Sequence, residues 1–404
     1  MPAKNNIGLE KYFDNGIKYF LFLFFLTCAF SVSLSEIGFF GAFFIWLLKV
    51  IYVRKVDWKK NPADLPLFLF ALFTLGAVFI GLDASRELLN RFKPLSLLLI
   101  YPLIVANLKD KKTVKEFLLL ALFSVLVQSV IIIVMGFTTS NLARGEGIGG
   151  TMSVTLTAGE IIATLLGFAV CFFVSSEKSK SRYYFLLVLL AGLAALLLTL
   201  ARGAWVSFLF TAFIFALLWN KKVFLLLVVF LLILGAGLVV NKNNIFVRKA
   251  ISTFDTSRGT TPIRFELWKS GLLMLKNNPL GLGIDNVYKN SGKPPYRIPI
   301  SYYSTYGHLH NNYLQLAVER GIQSLLVFLW LFFVFLRTAL AGYLKTKDKE
   351  AKYIFLGIFQ ALAAFMIGGV FEYGLGSAIY APIVWALAGI GMVFSKIVEQ
   401  KKWH

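Results

Sequence analysis

The sequence is divided into apolar runs long enough to cross a membrane, and this feature restricts the chain to helical folds. Hydrophobic residues make up 58% of its 404 residues. Because unpaired backbone groups are too costly in lipid, such runs must be helical. We predict an all-α, polytopic integral membrane protein, a single domain over residues 1–404 with about 12 transmembrane helices. The predicted spans are 17–35, 37–53, 65–82, 94–107, 115–136, 155–175, 183–200, 203–219, 223–240, 321–343, 353–371 and 378–397.

Basic residues concentrate in alternate loops, and this asymmetry predicts the orientation of the chain. With the N-terminus inside, 25 Lys and Arg residues fall on the cytoplasmic side and five in the short outer loops. Basic loops are retained in the cytoplasm during membrane insertion. We therefore predict a multi-pass protein with both termini in the cytoplasm.

One outer connection, residues 241–311 between the ninth and tenth spans, is far longer than the others. It contains ten basic and three acidic residues, a net charge of +7. A segment with this excess calls for an anionic partner, either lipid phosphate or a phosphorylated substrate. Within it, residues 262–275 have helical spacing, and the run from Asn277 to Gly283 predicts a helix end and a turn.

Several function classes are disfavoured by composition and motif. The formal net charge of +21 would suggest nucleic acid in a soluble chain, but here it lies in loops between apolar runs. Cys28 and Cys171 lie inside such runs, which argues against a disulfide framework or a thiolate metal site. The sequence has no Gly-Lys-Ser/Thr phosphate loop, so ATPase activity is not expected. The predicted outer carboxylates form no Asp-x-Asp or Glu-x-x-His set, so we expect no metal and no cofactor.

Arg202 is a cation between two nearly unbroken apolar runs. A charge near hydrocarbon depth is costly and calls for an anionic partner or a water-filled cavity, although snorkelling to the headgroups is an alternative. Glu160 is the other buried-looking charge. It is either the counter-ion of Arg202 or part of the lining of a site.

The outer segment contains two further candidates. Arg264 lies in the first turn of the predicted helix, where a surface arginine paired with Glu266 or Trp268 is the simpler interpretation. His310 follows His308 two residues later, just before the tenth span. Two residues at this spacing on a helix point in different directions, so we expect no shared metal. A histidine at the membrane interface remains the alternative for either one.

Three elements in this order resemble the O-antigen ligase family, which belongs with O-antigen polymerases and protein O-oligosaccharyltransferases. The run Leu198-Thr-Leu-Ala-Arg202-Gly-Ala is similar to the family's Thr-x-Ser-Arg-Gly element. The large loop then carries Arg264-Phe-Glu-Leu-Trp268 and an Asn-Pro-Leu-Gly-Leu-Gly turn. His310-Asn311, nine residues and Gly321 resemble the family's His-Asn-x9-Gly signature.

This resemblance implies a metal-independent glycosyltransferase of the GT-C type in the bacterial inner membrane, with its active site and the 241–311 loop facing the periplasm. The implied reaction moves O-antigen polysaccharide from undecaprenyl pyrophosphate to a sugar hydroxyl of the lipid A-core, in lipopolysaccharide biosynthesis. By the same resemblance, His310 is the catalytic base and Arg202 and Arg264 bind the pyrophosphate. Asn311, Arg258 and Tyr313 are further candidate substrate contacts.

Other functions remain open at this point. An O-antigen polymerase or a protein O-oligosaccharyltransferase would use the same parts with a different acceptor. Twelve spans could also form a transporter or a flippase for a lipid-linked glycan. Transporters often contain internal repeats and broken helices in matching positions. Neither pattern is visible in the sequence, which favours catalysis.

Overall fold

The secondary structure of the described residues is helical throughout. A computed structural model describes residues 3–81, 87–144, 146–152, 154–176, 179–225, 228–229, 246–247, 260–298 and 306–400. The helices are α1 (Ala3–Thr27), α2 (Val32–Val53), α3 (Asp64–Phe79), α4 (Leu88–Leu98), α5 (Ile100–Asn107), α6 (Lys111–Thr138), α7 (Thr155–Ser175), α8 (Ser181–Leu198), α9 (Arg202–Trp219), α10 (Thr260–Asn277), α11 (Asn286–Ser291), α12 (Asn312–Arg320), α13 (Ile322–Lys345), α14 (Lys349–Gly368) and α15 (Tyr380–Gln400), with a 3-10 turn at Gly374–Gly376.

The prediction of a multi-pass helical membrane protein is confirmed. Nine helical segments within the described residues are long and apolar enough to cross a membrane, and α4 and α5 together form one of them. The shorter apolar helix α3 matches the predicted span 65–82, and α1 contains most of 17–35. The predicted span 223–240 lies largely outside the described residues.

The boundary between the first two spans differs from the prediction. Helix α1 ends at Thr27 and α2 begins at Val32, so the break falls within the predicted span 17–35. The Ser31 side chain accepts a hydrogen bond from the backbone of Leu34 and caps α2, a local signal that hydropathy alone does not detect. A Cβ on Gly38 would lie 2.5 Å from the backbone nitrogen of Phe24, so glycine lets the two helices approach closely.

Helices α7, α14 and α15 form the centre of the bundle, because most of their spanning residues are buried, whereas α2, α8, α9 and α13 are largely exposed on one side. Small residues permit this central packing. A Cβ on Gly357 of α14 would lie 2.3 Å from the Phe168 ring of α7. Large apolar side chains such as Phe44, Phe68 and Phe333 are exposed on the outer helices, as expected for surfaces in contact with lipid.

The predicted outer segment folds against one end of the bundle. Its helix α10 and the turn after it confirm the predicted helix 262–275 and the turn near Gly281 and Gly283, which both have positive φ. A Cβ on Gly283 would lie 2.1 Å from the carbonyl oxygen of Ile80, at the end of α3. A side chain at position 283 would therefore prevent the turn from packing against α3. Helices α7 and α9 begin at this end and α14 finishes there; we call it the site end.

A fully buried arginine fixes the segment in place. The Arg91 guanidinium donates hydrogen bonds to the carbonyl oxygens of Val78, Ile80 and Gly81 and to Oδ1 of Asn286 on α11, at 2.7–3.2 Å. These four acceptors and the Glu87 carboxylate, 3.3 Å away, compensate for the loss of hydration of the buried cation. The α3–α4 connection and the outer segment are therefore held as one unit.

We expect the site end and the opposite end of the bundle to lie on different sides of the membrane, with the site end outside. Lys293→Cys and Lys347→Cys place reporters at exposed positions on the two ends, and the native Cys28 and Cys171 are buried. A membrane-impermeant maleimide applied from outside should label position 293, and should label position 347 only after the inner membrane is opened. The reverse pattern would contradict the orientation predicted from the basic loops.

Candidate functional site

A close contact at the site end joins His310 to Glu372. The Nδ1 atom of His310 lies 2.9 Å from both carboxylate oxygens, and only 13% of the Glu372 side chain is exposed. Burial favours a higher pKa for Glu372, but the hydrogen bond and charge of His310 outweigh it and lower the pKa below its ordinary value. The carboxylate is therefore ionised and can only accept. In the neutral form of the imidazole the shared hydrogen then lies on Nδ1, and the Nε2 lone pair is available.

The backbone around His310 is fixed from several directions. The Leu309 backbone nitrogen donates to the Gln315 side chain at 2.8 Å, and its carbonyl accepts from the Trp268 indole at 3.1 Å. Asn311 caps α12 by accepting from the backbone of Tyr313 and Leu314, both at 2.9 Å. These bonds hold His310 in the left-handed region at φ = 48°, a conformation that is costly for a residue with a Cβ.

His308 lies beside His310, which corrects the prediction that the two histidines point in different directions. Their ring centroids are 4.2 Å apart. The prediction assumed a helix, but α12 begins only at Asn312, and residues 308–310 form a turn in which the His310 backbone donates to His308 Nδ1 at 3.3 Å. Burial and the neighbouring positive groups His310 and Arg264 lower the pKa of His308 to about 4, whereas Glu372 acts in the opposite direction. His308 is therefore neutral near pH 7.

Arg264 reaches the same carboxylate from the first turns of α10. Its guanidinium lies 3.6 Å from the Glu372 carboxylate, with 20% of its side chain exposed. Burial lowers the pKa of Arg264, opposed by the charges of Glu372 and Glu160. Buried Glu160 lies in α7, beside Gly368 of α14. Its negative charge is one of the two that stabilise the charged form of Arg264. The predicted surface pairing of Arg264 with Glu266 is not found: Glu266 instead bonds Lys269 at 2.6 Å.

Arg202 is the first residue of α9, at the end of a tight turn. Leu200 adopts a left-handed conformation with φ = 52°, and the Thr199 hydroxyl accepts from the Ala201 backbone at 3.2 Å. The Trp205 indole donates to the carbonyl of Leu196 at 2.7 Å and ties the start of α9 to the end of α8. The turn therefore presents Arg202 at the site end, where its charge repels that of Arg264.

Arg202, Arg264 and His310 line one polar cleft of about 280 Å³. Thr155 and Thr199 also line this cleft. Two guanidinium groups at one cleft favour an anion with several oxygens, because their planar forks match carboxylate and phosphate oxygens. The cleft thus combines an anion-binding wall with a histidine.

A second cleft of about 340 Å³ adjoins the first and shares Arg202, Gly203 and Arg264 with it. Its other walls are mostly apolar and include Val206, Phe265, Trp268, Val370 and Phe371. The two arginines therefore separate a polar compartment from an apolar one. Such a boundary suits a ligand with a charged group between a polar and an apolar part.

The remaining predicted contacts are placed differently. Both polar atoms of the Asn311 amide bond the backbone, Oδ1 at the start of α12 and Nδ2 at the Val370 carbonyl, 3.0 Å away. The Tyr313 hydroxyl donates to the carbonyl oxygen of Met366. Neither residue lines the two clefts, and Asn311 instead helps to hold the backbone next to His310. Arg258 lies outside the described residues.

Two supporting groups were missed by the sequence reasoning. The sequence identified Glu372 only as one of the predicted outer carboxylates. Its position just after the spanning helix α14 is the signal that could have identified it as part of the site. Buried Glu319 accepts from the Gln315 side chain at 2.9 Å and from the Asp285 backbone at 3.0 Å. It thereby connects the turn before α11 to the residue that holds Leu309. Burial raises the pKa of Glu319 to about 7, with Arg320 acting in the opposite direction.

The donor atoms of His308, His310 and Glu372 lie within 4.8 Å of one another, so this group could hold a metal ion. Imidazole nitrogen and carboxylate oxygen suit zinc. Binding through the Nδ1 atoms would require His310 to give up its hydrogen bond to Glu372, and His308 the one from the His310 backbone. It would also place a dication beside the Arg264 guanidinium, 3.6 Å from the same carboxylate. The geometry fits a carboxylate–histidine pair better than a metal centre.

The fold and the two clefts define a multi-pass helical membrane protein with a cationic, histidine-containing site at one end. Residues 187–329 match the family described as O-Antigen ligase, and this match supports the resemblance of the motifs to that family. The family suggests a membrane enzyme of glycosyltransferase type.

The matched segment contains Arg202, Arg264 and His310, whereas Glu372 lies beyond it. An uncharacterized protein of Haemophilus influenzae (strain ATCC 51907 / DSM 11121 / KW20 / Rd) is 26% identical over 376 residues. That alignment covers 84% of this chain and 89% of the relative.

Proposed function

We propose that the protein is an O-antigen ligase. It moves O-antigen polysaccharide from undecaprenyl pyrophosphate to a sugar hydroxyl of the lipid A-core, without a metal ion, on the periplasmic side of the bacterial inner membrane. The observation that carries the proposal is a single cleft lined by Arg202, Arg264 and His310, with His310 bound to the ionised Glu372.

The arginines neutralise the leaving group in this reaction. As the bond from the anomeric carbon to the pyrophosphate oxygen breaks, its electron pair leaves with the pyrophosphate and negative charge grows there. Fixed cations directed at developing charge lower the barrier more than cations that must reorganise. The apolar cleft on the other side of Arg202 and Arg264 gives the first part of the polyprenyl chain a place out of water.

His310 activates the acceptor. Its Nε2 takes the proton of the acceptor hydroxyl as that oxygen forms the new bond to the anomeric carbon. The imidazole becomes positively charged, and the Glu372 carboxylate 2.9 Å from Nδ1 stabilises this charge. A carboxylate bonded to Nδ1 also fixes the tautomer and the direction of the ring. The products are a joined glycolipid and undecaprenyl pyrophosphate.

The proposal is tested by incubating the purified protein with an undecaprenyl-pyrophosphate-linked glycan and lipid A-core in the presence of EDTA. We expect joined lipid A-core–glycan, resolved by gel electrophoresis. Longer lipid-linked glycan without use of lipid A-core would instead support a polymerase, and transfer to a peptide a protein O-oligosaccharyltransferase. Movement of the glycan across vesicle membranes without any transfer would support a flippase. Activity that appears only with added magnesium or manganese would contradict the metal-independent mechanism.

Arg202→Lys and Arg264→Lys should each impair transfer although the charge is retained, because lysine cannot make two parallel hydrogen bonds to one phosphate. Loss of one charge-assisted bond corresponds to roughly a 10- to 100-fold lower kcat/KM. The matched control is Arg297→Lys, at an exposed position that lines neither cleft. Donor binding and transfer close to wild type in both variants would rule out the arginine clamp.

His310→Ala should lower kcat by about 10²–10⁴-fold, the usual contribution of a general base. Glu372→Gln should cause a smaller loss, because the amide oxygen still accepts from Nδ1 but no longer stabilises the imidazolium. The acid limb of the pH–rate profile should therefore move to lower pH in Glu372→Gln.

Glu266→Gln on α10 is the matched control, since Glu266 bonds only Lys269 among the described partners. If His310→Ala matched wild type at equal expression, His310 would not be the base. An unshifted pH profile in Glu372→Gln would show that the carboxylate is merely structural.

A further inference from the structure

A second charged cavity lies at the opposite end of the bundle from the site end. It has a volume of about 300 Å³ and lies between the last turns of α13 and α15, the start of α14 and the residues before α3. The match to the O-antigen ligase family ends at residue 329, and the cavity is built largely from residues beyond it. The proposed transfer reaction makes no use of it.

Three cations and one acid line the cavity: Arg337, Lys345, Lys396 and Glu399. Within the part of the chain that the structure describes, none of the four takes part in an ion pair. Lys345 in the last turn of α13 is the kind of charge that a helix C-terminus favours. That effect does not explain why cations from two helices converge on one cavity.

Several other lysines at this end have acidic partners. Lys111 pairs with Asp348 at 2.6 Å and with Glu350 at 2.8 Å, and Lys115 pairs with Glu350 at 2.6 Å. Lys49 bonds Asp14 at 2.7 Å. These lysines therefore have acidic partners, whereas the residues that line the cavity carry a net charge of +2.

The rest of the cavity wall is apolar, from Val334, Phe355 and Val398, with hydroxyl groups from Thr338 and Thr346. Exposed Phe333 and Leu344, on the same helix as Val334, belong to the surface in contact with lipid. A ligand that fits has an anionic head for the cations and an apolar part for the wall. A small soluble anion would use only half of this surface.

We propose that this cavity binds the headgroup phosphate of an anionic phospholipid from the bilayer leaflet at that end of the bundle. The phosphodiester lies between Arg337, Lys345 and Lys396, and the threonine hydroxyls donate further hydrogen bonds to its oxygens. The first carbons of the acyl chains pack on Val334 and Phe355. Attraction of basic side chains to anionic lipid is known to be additive and sensitive to salt.

The test measures lipid retention by native mass spectrometry of the full chain in nanodiscs containing phosphatidylglycerol and phosphatidylcholine. Wild type should retain phosphatidylglycerol preferentially. The triple variant Arg337→Gln, Lys345→Gln, Lys396→Gln should lose about fivefold in this preference for each cation removed. The matched control removes three exposed cations at the same end that do not line the cavity: Lys221→Gln, Lys222→Gln and Lys347→Gln.

Equal preference in the triple variant and in the control would overturn the proposal. Glycerol phosphate added in solution should not displace the lipid, since it lacks acyl chains; displacement at comparable concentrations would mean that the cavity binds only the phosphate. If the triple variant does not fold, wild type alone suffices. Its preference should fall as salt rises, and a preference that is independent of salt would contradict the assignment.

Discussion

The site end depends on the charge of the Glu372 carboxylate, which is largely shielded from solvent. The carboxylate oxygens lie within 4 Å of Nδ1 of His308, of Nδ1 of His310 and of the Arg264 guanidinium. Burying a cation such as Arg264 is costly unless an anion compensates. Glu372 follows α14, Arg264 lies on α10 and the histidines precede α12, so one carboxylate joins three separate segments. The charge that orients the histidine also holds together the elements around the cleft.

Hydrogen bonds behind the site make its geometry rigid. Glu319 connects Asp285 to Gln315, and Gln315 holds the backbone of Leu309 between the two histidines. Helix α12 is only nine residues long, yet it links the turn before α11, the histidine turn and span α13. Most of its residues are buried, so it cannot shift without breaking several bonds at once. The precise placement of His310 therefore depends on groups that never reach the cleft.

Most of the architecture could be predicted from the sequence, because lipid allows few ways to satisfy the backbone. The apolar runs predicted the spanning helices, and the helical spacing over residues 262–275 predicted α10. The break between α1 and α2 was misplaced because capping by Ser31 is a local hydrogen bond within an apolar run. The motif residues Arg202, Arg264 and His310 were found, and the structure brings them to one cleft. Glu372 is 62 residues from His310 along the chain, and the relative position of two loops cannot be deduced from spacing.

The left-handed backbone of His310 is a local strain that the contact of its own side chain compensates. At φ = 48°, a residue with a Cβ bears a conformational penalty of about 1 kcal/mol that glycine would relieve. Glycine would also leave the Glu372 carboxylate without the hydrogen bond from Nδ1, and a bond to a charged group contributes about 1.5–3 kcal/mol. A search for thermostable variants therefore has little to gain at position 310, because heat resistance and turnover both favour histidine there.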